Sequence, residues 1–446
     1  METENKTPEK KPNLITRRQA LKYIGFGAVA AGGYIGLKKY FSEGTVEEKD
    51  LRPVSTNVHV ATGANISMLA FGCMRLPLIE KGKPEIDEPL AMKMIDYAYQ
   101  RGVNYFDTAW FYHQGQSETF IGKALKQYPR ETFYLADKMP GRVIKSLEQA
   151  KEIFAEQLVK CQVDYFDFYL CHNISKVEDY VRIYEEYGVL DYLIEEKAKG
   201  RIRRLGFSFH GKKEDFNYFL DKYPWEFVMI QNNYLDWEVD GKYLHEELGK
   251  RDIPCLIMEP IRGGMLATLN PDAVKILKQA DDKKSVASWA LRWIASKPNV
   301  LTTLSGMSIM EHVKDNVQTF VDFKPMTDEE NKVVSAALAA FQRVKPVPCS
   351  ECDYCMPCPA GVNIPNVFKA YNKCVSESNV PDLNAPRDSE FKKKGKAFHA
   401  SMTNAIPEKE RADRCIGCDK CLPLCPQDIQ ITEKMLEIKN MLKELA

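Results

Sequence analysis

The stretch "NYFDTAWFYHQGQSETFIGKAL", residues 104–125, contains a complete strand-and-helix unit. Its first six residues, "NYFDTA", combine aromatic and β-branched side chains and fit a short buried strand. Further along, Phe120, Ile121, Ala124 and Leu125 recur at helical spacing. A strand followed directly by a helix favours a parallel βαβ arrangement.

The same unit recurs along the middle of the chain, between about residues 55 and 320. The strand candidates are "SMLAFG", "NYFDTA", "TFYLADK", "FDFYLCH", "RRLGFSFH", "FVMIQNN", "IPCLIMEP" and "VLTTLSG". A segment with helical periodicity follows each of them. Eight such units predict an α/β fold of the (β/α)8 TIM-barrel type. An open doubly wound sheet is the alternative, although the turn after the first strand lacks a Gly-x-Gly-x-x-Gly pattern.

Polar residues at the ends of the predicted strands form a chemical set. They are Asp107, Tyr112, Lys138 and His172. In a TIM barrel the C-terminal strand ends meet at one face, where the chemistry takes place. A carbonyl reductase needs a proton donor, and a tyrosine serves when an ammonium held by a carboxylate favours its phenolate. A neutral histidine can orient the carbonyl. Taken singly, the four residues also fit structural roles as a helix cap, a loop-packing ring, a surface charge and a buried histidine.

The opening stretch resembles the Asp-Thr-Ala-x-x-Tyr-Gly-x-Ser-Glu signature of the aldo-keto reductases. The resemblance extends over roughly residues 55–325, with "LCHN", "LGFSFHG", "IQNNYLD" and "LSGMSIMEHVKDN" in the expected order. It implies that Tyr112 is the general acid–base, that Lys138 and Asp107 tune it, and that His172 orients the carbonyl. The family reduces aldehydes and ketones, which implies a small carbonyl or alcohol substrate and NADP(H) or NAD(H) as cofactor.

The dinucleotide-binding positions of that family are only partly kept. The resemblance assigns this role to Ser208, Gln231, Gly306, Ser308, His312 and Asn316. Phe209 stands where the family has an asparagine that holds the nicotinamide carboxamide. Met258 replaces a stacking aromatic ring, and His312 replaces a basic residue that grips the 2′-phosphate. We therefore expect weak dinucleotide binding with little preference between NADPH and NADH.

Two dense runs of cysteine lie near the C-terminal end. The first contains Cys349, Cys352, Cys355 and Cys358, and the second contains Cys415, Cys418, Cys421 and Cys425. The second run is followed by proline and matches the bacterial ferredoxin pattern, in which the fourth cysteine ligates the other cluster. The first run also ends in Cys-Pro. We therefore predict two 4Fe–4S clusters, each taking its fourth ligand from the opposite run. A pair of zinc sites and a single cluster are the alternatives.

These features divide the chain into four parts. Residues 1–50 would form a leader and linker, and residues 51–325 the barrel. Thr327 and Glu330 have the spacing of a capping box, which predicts a connecting helix within residues 326–344. Residues 345–446 would form a small, mainly α-helical domain that resembles the ferredoxin-like domains attached to larger oxidoreductases.

The N-terminal stretch "ITRRQALKYIGFGAVAAGGYIGLKK" has the features of an export signal. Arg17 and Arg18 precede an uncharged segment of about fifteen residues, shorter than the roughly 20 residues of a membrane span. Residues 16–22 resemble the signal read by the twin-arginine export machinery. This predicts a periplasmic protein, or one on the outer face of the cytoplasmic membrane, with membrane contact only through an uncleaved segment. A chance arginine pair in a cytoplasmic protein is the alternative.

The charge balance argues against a nucleic-acid partner, since 62 Lys and Arg residues match 62 Asp and Glu residues. Together these observations predict an iron–sulfur oxidoreductase of the aldo-keto reductase type, which exchanges electrons with a redox partner protein. The alternative is an electron-transfer or docking protein whose barrel has lost catalysis.

Overall fold

The (β/α)8 barrel predicted from the sequence is confirmed. The structure is a computed structural model that describes residues 52–59, 62–80, 83–342, 346–383 and 386–445. Its barrel strands are β3 (Leu69–Gly72), β4 (Tyr105–Asp107), β5 (Tyr134–Met139), β6 (Phe166–Ile174), β7 (Ile202–Phe209), β8 (Phe227–Gln231), β9 (Cys255–Met258) and β10 (Val300–Gly306). They pair in parallel in this order, and β10 closes the ring on β3. The predicted export segment with Arg17 and Arg18 lies outside the described residues.

Helices connect the strands and continue beyond the barrel. They are α1 (Glu88–Gln100), α2 (Gln116–Leu125), α3 (Leu147–Cys161), α4 (Val177–Tyr180), α5 (Val189–Ala198), α6 (Phe216–Leu220), α7 (Lys242–Lys250), α8 (Pro271–Ala280), α9 (Val286–Ala295), α10 (Met310–Phe320), α11 (Asp328–Phe341), α12 (Ile364–Ser376), α13 (Ser389–Asn404) and α14 (Ile431–Leu445). Within the described ranges, no helix has both the length and the apolar character required to cross a bilayer.

The barrel strands are apolar on both faces because one face lines the interior and the other meets the helices. In β6, Phe168 and Leu170 belong to the interior cluster, together with Tyr105 and Phe227 from other strands. The alternate residue Tyr169 belongs to the layer between the strands and the surrounding helices. This alternation follows from the two-residue period of a strand.

A hairpin that the sequence did not predict covers the N-terminal end of the barrel. Strands β1 (Thr56–His59) and β2 (Ala64–Ser67) pair antiparallel. Ile66 packs against the interior cluster. The Asn57 side-chain amide donates a hydrogen bond to the carbonyl of Val300, at the start of β10, over 2.9 Å. These contacts leave the opposite, C-terminal end of the barrel as the face for chemistry.

Helix α11 begins with the predicted capping box between Thr327 and Glu330. The Glu330 carboxylate also pairs with Arg292 at 2.7 Å. Near the other end of the helix, the Ala340 carbonyl accepts a hydrogen bond from Asn270 over 3.0 Å. The helix expected to connect the two domains therefore packs along the barrel.

The C-terminal region is mainly helical, as predicted, and has a separate apolar core. The face of α12 expected from its spacing (Ile364, Val367, Phe368 and Tyr371) is buried. It packs against α13 and α14, which contribute Phe398, Met402, Met435 and Ile438 to the core. This region, the cysteine domain, belongs to the same compact unit as the barrel.

Candidate functional site

The four predicted catalytic residues come together at the C-terminal end of the barrel. Asp107 ends β4, Lys138 lies near the end of β5, and His172 lies near the end of β6. Tyr112 belongs to the turn that follows β4. Because neighbouring strands run parallel, their ends reach the same rim of the barrel.

A buried ion pair forms the base of this site. Lys138 donates a hydrogen bond of 2.6 Å to the Asp107 carboxylate, and the two side chains are only 1% and 2% exposed. The Lys138 ammonium also donates to the carbonyl of Thr108 over 2.6 Å, and its Nζ lies 3.4 Å from the Tyr112 hydroxyl. Asp107 thus holds the ammonium next to the phenol.

The pKa of Tyr112 differs from the sequence-based expectation. Lys138 was expected to favour the phenolate, but burial raises the pKa of Tyr112 well above its ordinary value, and the Asp107 charge raises it further. The reason is that Asp107 offsets the charge of Lys138, so the desolvation of the phenol dominates. Tyr112 therefore keeps its proton at neutral pH.

His172 faces Tyr112 edge-on, with the ring centroids 6.3 Å apart. Burial lowers the pKa of His172 well below its ordinary value, and the charge of Lys138 lowers it further. Burial likewise lowers the pKa of the nearby His210 to about 4. Both imidazoles are therefore neutral at physiological pH, and a neutral imidazole can donate a hydrogen bond to a carbonyl oxygen.

Other residues around the site were not predicted from the sequence. The ring of Tyr354, in the first cysteine run, lies against the Arg142 guanidinium, which is 5.0 Å from the ring centroid. Glu259 follows β9, and one of its buried carboxylate oxygens has no hydrogen-bond partner among the described residues. Burial is the main cause of the raised pKa values of Tyr112 and Cys352, and the charge of Glu259 raises both values further. The sequence offered a signal for His210 and Glu259, which lie at the ends of the predicted strands "RRLGFSFH" and "IPCLIMEP".

The predicted dinucleotide residues at the phosphate end make contacts within the barrel. Asn316 donates to the Ser305 hydroxyl over 2.8 Å, and Ser308 donates to the carbonyl of Arg75 over 2.8 Å. The backbone amide of Ser308 points to a ring nitrogen of His312 at 3.4 Å. Burial lowers the pKa of His312. A neutral His312 contributes no charge toward a 2′-phosphate.

The predicted residues at the nicotinamide end are engaged by the chain itself. The Gln231 side-chain oxygen accepts a 2.7 Å hydrogen bond from Gln427 of the cysteine domain, and its nitrogen donates to Asp236 over 2.9 Å. The Ser208 hydroxyl accepts from the backbone of Asn173 over 2.8 Å. Phe209 turns away from the site and packs against Phe216, with the ring centroids 4.7 Å apart.

A nicotinamide therefore does not fit this end of the barrel. The side-chain amide of Gln231 is already paired on both sides, and Phe209 offers no group for a carboxamide. At the phosphate end, an added Cβ on Gly306 would lie 3.0 Å from the Arg75 side chain, which covers that position.

The cysteines of the first predicted cluster surround one cavity. Cys349, Cys352, Cys355 and Cys425 line it together with Phe368 and other apolar side chains. Burial raises the pKa values of Cys349 and Cys355 to about 12, and each of these thiols is raised further by Cys352 and Cys425. A group of four partly buried thiols around an apolar cavity fits an iron–sulfur cluster, which thiolates hold.

The second predicted set lies closer to solvent. Burial raises the pKa of Cys421 to about 11, and the neighbours that raise it further are Cys358, Cys415 and Cys418. Cys418 is exposed. The structure thus brings Cys425 to the first run and Cys358 to the second, as a cross-paired arrangement requires.

The fold and this site define a class of protein: a reductase-type (β/α)8 barrel joined to a cluster-binding domain. Residues 68–339 match the aldo/keto reductase family, and residues 348–429 match the 4Fe-4S dicluster domain. The chain belongs to the aldo/keto reductase family and is an oxidoreductase.

Relatives and solved structures agree with this assignment. The chain is 26% identical to L-galactose dehydrogenase of Arabidopsis thaliana over 64% of its own length and 93% of the relative. It is 24% identical to the NADH-specific methylglyoxal reductase of Escherichia coli over 52% of its length and 83% of the relative. An aldo-keto reductase of Bacillus halodurans shares the fold with a TM-score of 0.53 at 24% identity, covering 64% of this chain and 96% of that one.

Proposed function

We propose that the protein interconverts a small carbonyl compound and its alcohol at the Asp107, Tyr112, Lys138 and His172 site. The observation that carries this proposal is the position of Lys138, whose ammonium contacts both the Asp107 carboxylate and the Tyr112 hydroxyl at the barrel rim. This is the arrangement that proton transfer to a developing alkoxide requires.

The protonation states favour reduction at neutral pH. Reduction adds two electrons and two protons, and the raised pKa keeps Tyr112 protonated as the donor to oxygen. Solvent restores the Tyr112 proton and supplies the proton that reaches carbon when electrons arrive singly. Neutral His172 holds the carbonyl oxygen by a hydrogen bond. Alcohol oxidation needs the deprotonated phenol, so its rate should rise as the pH rises toward the pKa of Tyr112.

We propose further that the cysteine domain holds two 4Fe–4S clusters. Cys349, Cys352, Cys355 and Cys425 would hold one of them, and Cys415, Cys418, Cys421 and Cys358 the other. Such clusters supply and accept single electrons. The family implies NADP(H) or NAD(H) as the usual source of electrons, but the pairing of Gln231 with Gln427 at the nicotinamide end argues against that source here.

The partly exposed position of the second cysteine set suits exchange with a redox partner protein. Cys418 is exposed, and the neighbouring Ile416 is 71% exposed. We also propose that the twin-arginine machinery exports the protein with its clusters assembled. The support for export is the Arg17–Arg18 pair ahead of an uncharged segment.

A second candidate is an electron-transfer or docking protein with an inactive barrel. The hydrogen bond between Gln427 and Gln231 favours it, because the cysteine domain then occupies a family cofactor position. The preserved Lys138–Asp107–Tyr112 geometry opposes it.

Substitution of Tyr112 by phenylalanine distinguishes the two candidates. Two relatives are named for methylglyoxal and L-galactose, so both compounds serve as first probes. In anaerobic assays with reduced viologen and with NADPH or NADH, Tyr112→Phe should lower turnover about 100- to 10,000-fold. Tyr165→Phe is the matched control, because Tyr165 precedes β6 at the opposite end of the barrel. If Tyr112→Phe retains full activity, or the parent turns over no carbonyl or alcohol, the docking candidate is favoured.

A further inference from the structure

The cysteine domain contacts the catalytic rim of the barrel at several separate points. Arg75, just after β3, donates a hydrogen bond to the carbonyl of Ser350. On another side, Gly263 follows β9, and an added Cβ there would lie 3.0 Å from the Ser350 backbone. Ser350 is 3% exposed. The start of the first cysteine run therefore lies between the loops that follow β3 and β9 at the rim.

Two more contacts extend this cover around the ring. Arg142, after β5, lies against the ring of Tyr354. Gln231, at the end of β8, accepts the hydrogen bond from Gln427. Strands β3, β5, β8 and β9 are distributed around the closed ring. The domain thus bridges the mouth of the barrel.

The covering segment also reaches the catalytic residues. The Tyr354 phenol lies within electrostatic range of Tyr112 and Lys138, and Glu259 lies within range of both Tyr112 and Cys352. Tyr354 and Cys352 therefore share close neighbours with the predicted proton donor. Cys352 also lines the cavity of the first cysteine set.

We propose that residues 350–354 form the roof of the substrate site and take the place that a nicotinamide ring occupies in other family members. In this arrangement Tyr354 is a wall of the substrate site, and the substrate binds between Tyr112 and the Cys349, Cys352, Cys355 and Cys425 site. The barrel then does not bind a diffusible dinucleotide. The substrate class in this inference rests on the proposed function. The exclusion of the dinucleotide does not depend on carbonyl turnover and can be measured separately.

Titration with NADPH and NADH tests the exclusion directly. All five tryptophans, from Trp110 to Trp293, lie in the barrel, so their fluorescence reports binding there. The anaerobic, cluster-loaded full chain should show no saturable binding of either dinucleotide below about 1 mM, the upper end of the usual range of enzyme KM values. The NADH-specific methylglyoxal reductase of Escherichia coli is the positive control. Saturable binding below about 1 mM overturns the inference.

Hydrogen exchange of the same full-length protein tests the roof. Amides of residues 350–354 should exchange at least about tenfold more slowly than in an unstructured peptide. Gln427→Ala should speed this exchange, whereas Gln430→Ala, at an exposed glutamine three residues away, should not. Unprotected amides in the parent contradict the proposal.

The two proposals can fail independently. If dinucleotide binds while carbonyl turnover persists, only this inference fails. If neither dinucleotide binding nor turnover is found, only the proposed function fails.

Discussion

At the scale of single residues, the Lys138–Asp107 pair should be important for stability as well as for chemistry. Removing one member of a buried ion pair leaves an uncompensated charge, at a cost of roughly 3–5 kcal/mol. For a domain of this size we expect Lys138→Met to lower the barrel melting temperature by roughly 5–15 °C. Tryptophan fluorescence measures this transition, since all five tryptophans are in the barrel.

Two variants control this prediction. Lys123→Met breaks an exposed pair with Glu88 and should have little effect, because such pairs contribute at most about 1 kcal/mol. The double variant Asp107→Asn, Lys138→Met removes both charges and should recover much of the lost stability while activity stays low. If the double variant is less stable than Lys138→Met, the loss of Lys138 alone does not leave an uncompensated charge on Asp107, and the prediction is wrong.

The identities of the candidate catalytic residues could be predicted from the sequence, but their protonation could not. The spacing of Asp107 and Tyr112 and the strand ends at Lys138 and His172 predict their shared position. The pKa of Tyr112 depends on burial and on the partner of Lys138. Both are set by tertiary packing, which the local sequence does not specify.

At the scale of elements, the exchange of fourth ligands between the two cysteine runs predicts the iron content of cysteine variants. If Cys349 and Cys425 serve the same cluster, the double variant Cys349→Ala, Cys425→Ala should retain about four irons per chain, against about eight in the parent. Cys421→Ala, Cys425→Ala should affect both clusters and retain almost none. Iron analysis and EPR of the reduced proteins measure the outcome.

Cys374→Ala is the matched control, because Cys374 is fully buried in α12 and does not line the cavity. It should retain about eight irons. The reverse order for the two double variants would mean that each run holds its own cluster. Zinc in place of iron would reject iron–sulfur clusters altogether.

The sequence predicted the elements of the barrel better than the contacts between domains. Each predicted strand has a counterpart because its run of apolar and β-branched residues is local. The hairpin of β1 and β2 was missed, since its alternation is weak and few of its side chains, Ile66 and the partly buried Ala64, pack against the interior cluster. Helix α8 was also missed, although Asn270 caps it and Pro271 begins it.

At the scale of the whole molecule, export should depend on the arginine pair. Lysines keep the charge of Arg17 and Arg18 but lack the planar guanidinium. The variant Arg17→Lys, Arg18→Lys should therefore remain in the cytoplasm with its clusters assembled. Cell fractionation with iron analysis checks this outcome, and export of the variant at the parental level would contradict the twin-arginine assignment.

The docking of the cysteine domain on the barrel could not be predicted from the sequence. Gln427 and Gln231 are 196 positions apart, and neither stands in a pattern that indicates the other. Tyr354 stands between Cys352 and Cys355, and nothing in the local sequence indicates its contact with Arg142. If residues 350–354 form the proposed roof, these contacts determine which ligands reach Tyr112.

The central claim is that the barrel reduces a carbonyl with electrons held in the cysteine domain. The most direct test is a single turnover. The cluster-loaded protein is reduced anaerobically, freed of reductant and mixed with the best carbonyl substrate from the screen, without any dinucleotide. Two clusters hold about two electrons, so we predict up to about one alcohol per chain, with loss of the reduced-cluster EPR signal at the same rate. The claim is contradicted if the clusters stay reduced and alcohol forms only after NADPH or NADH is added.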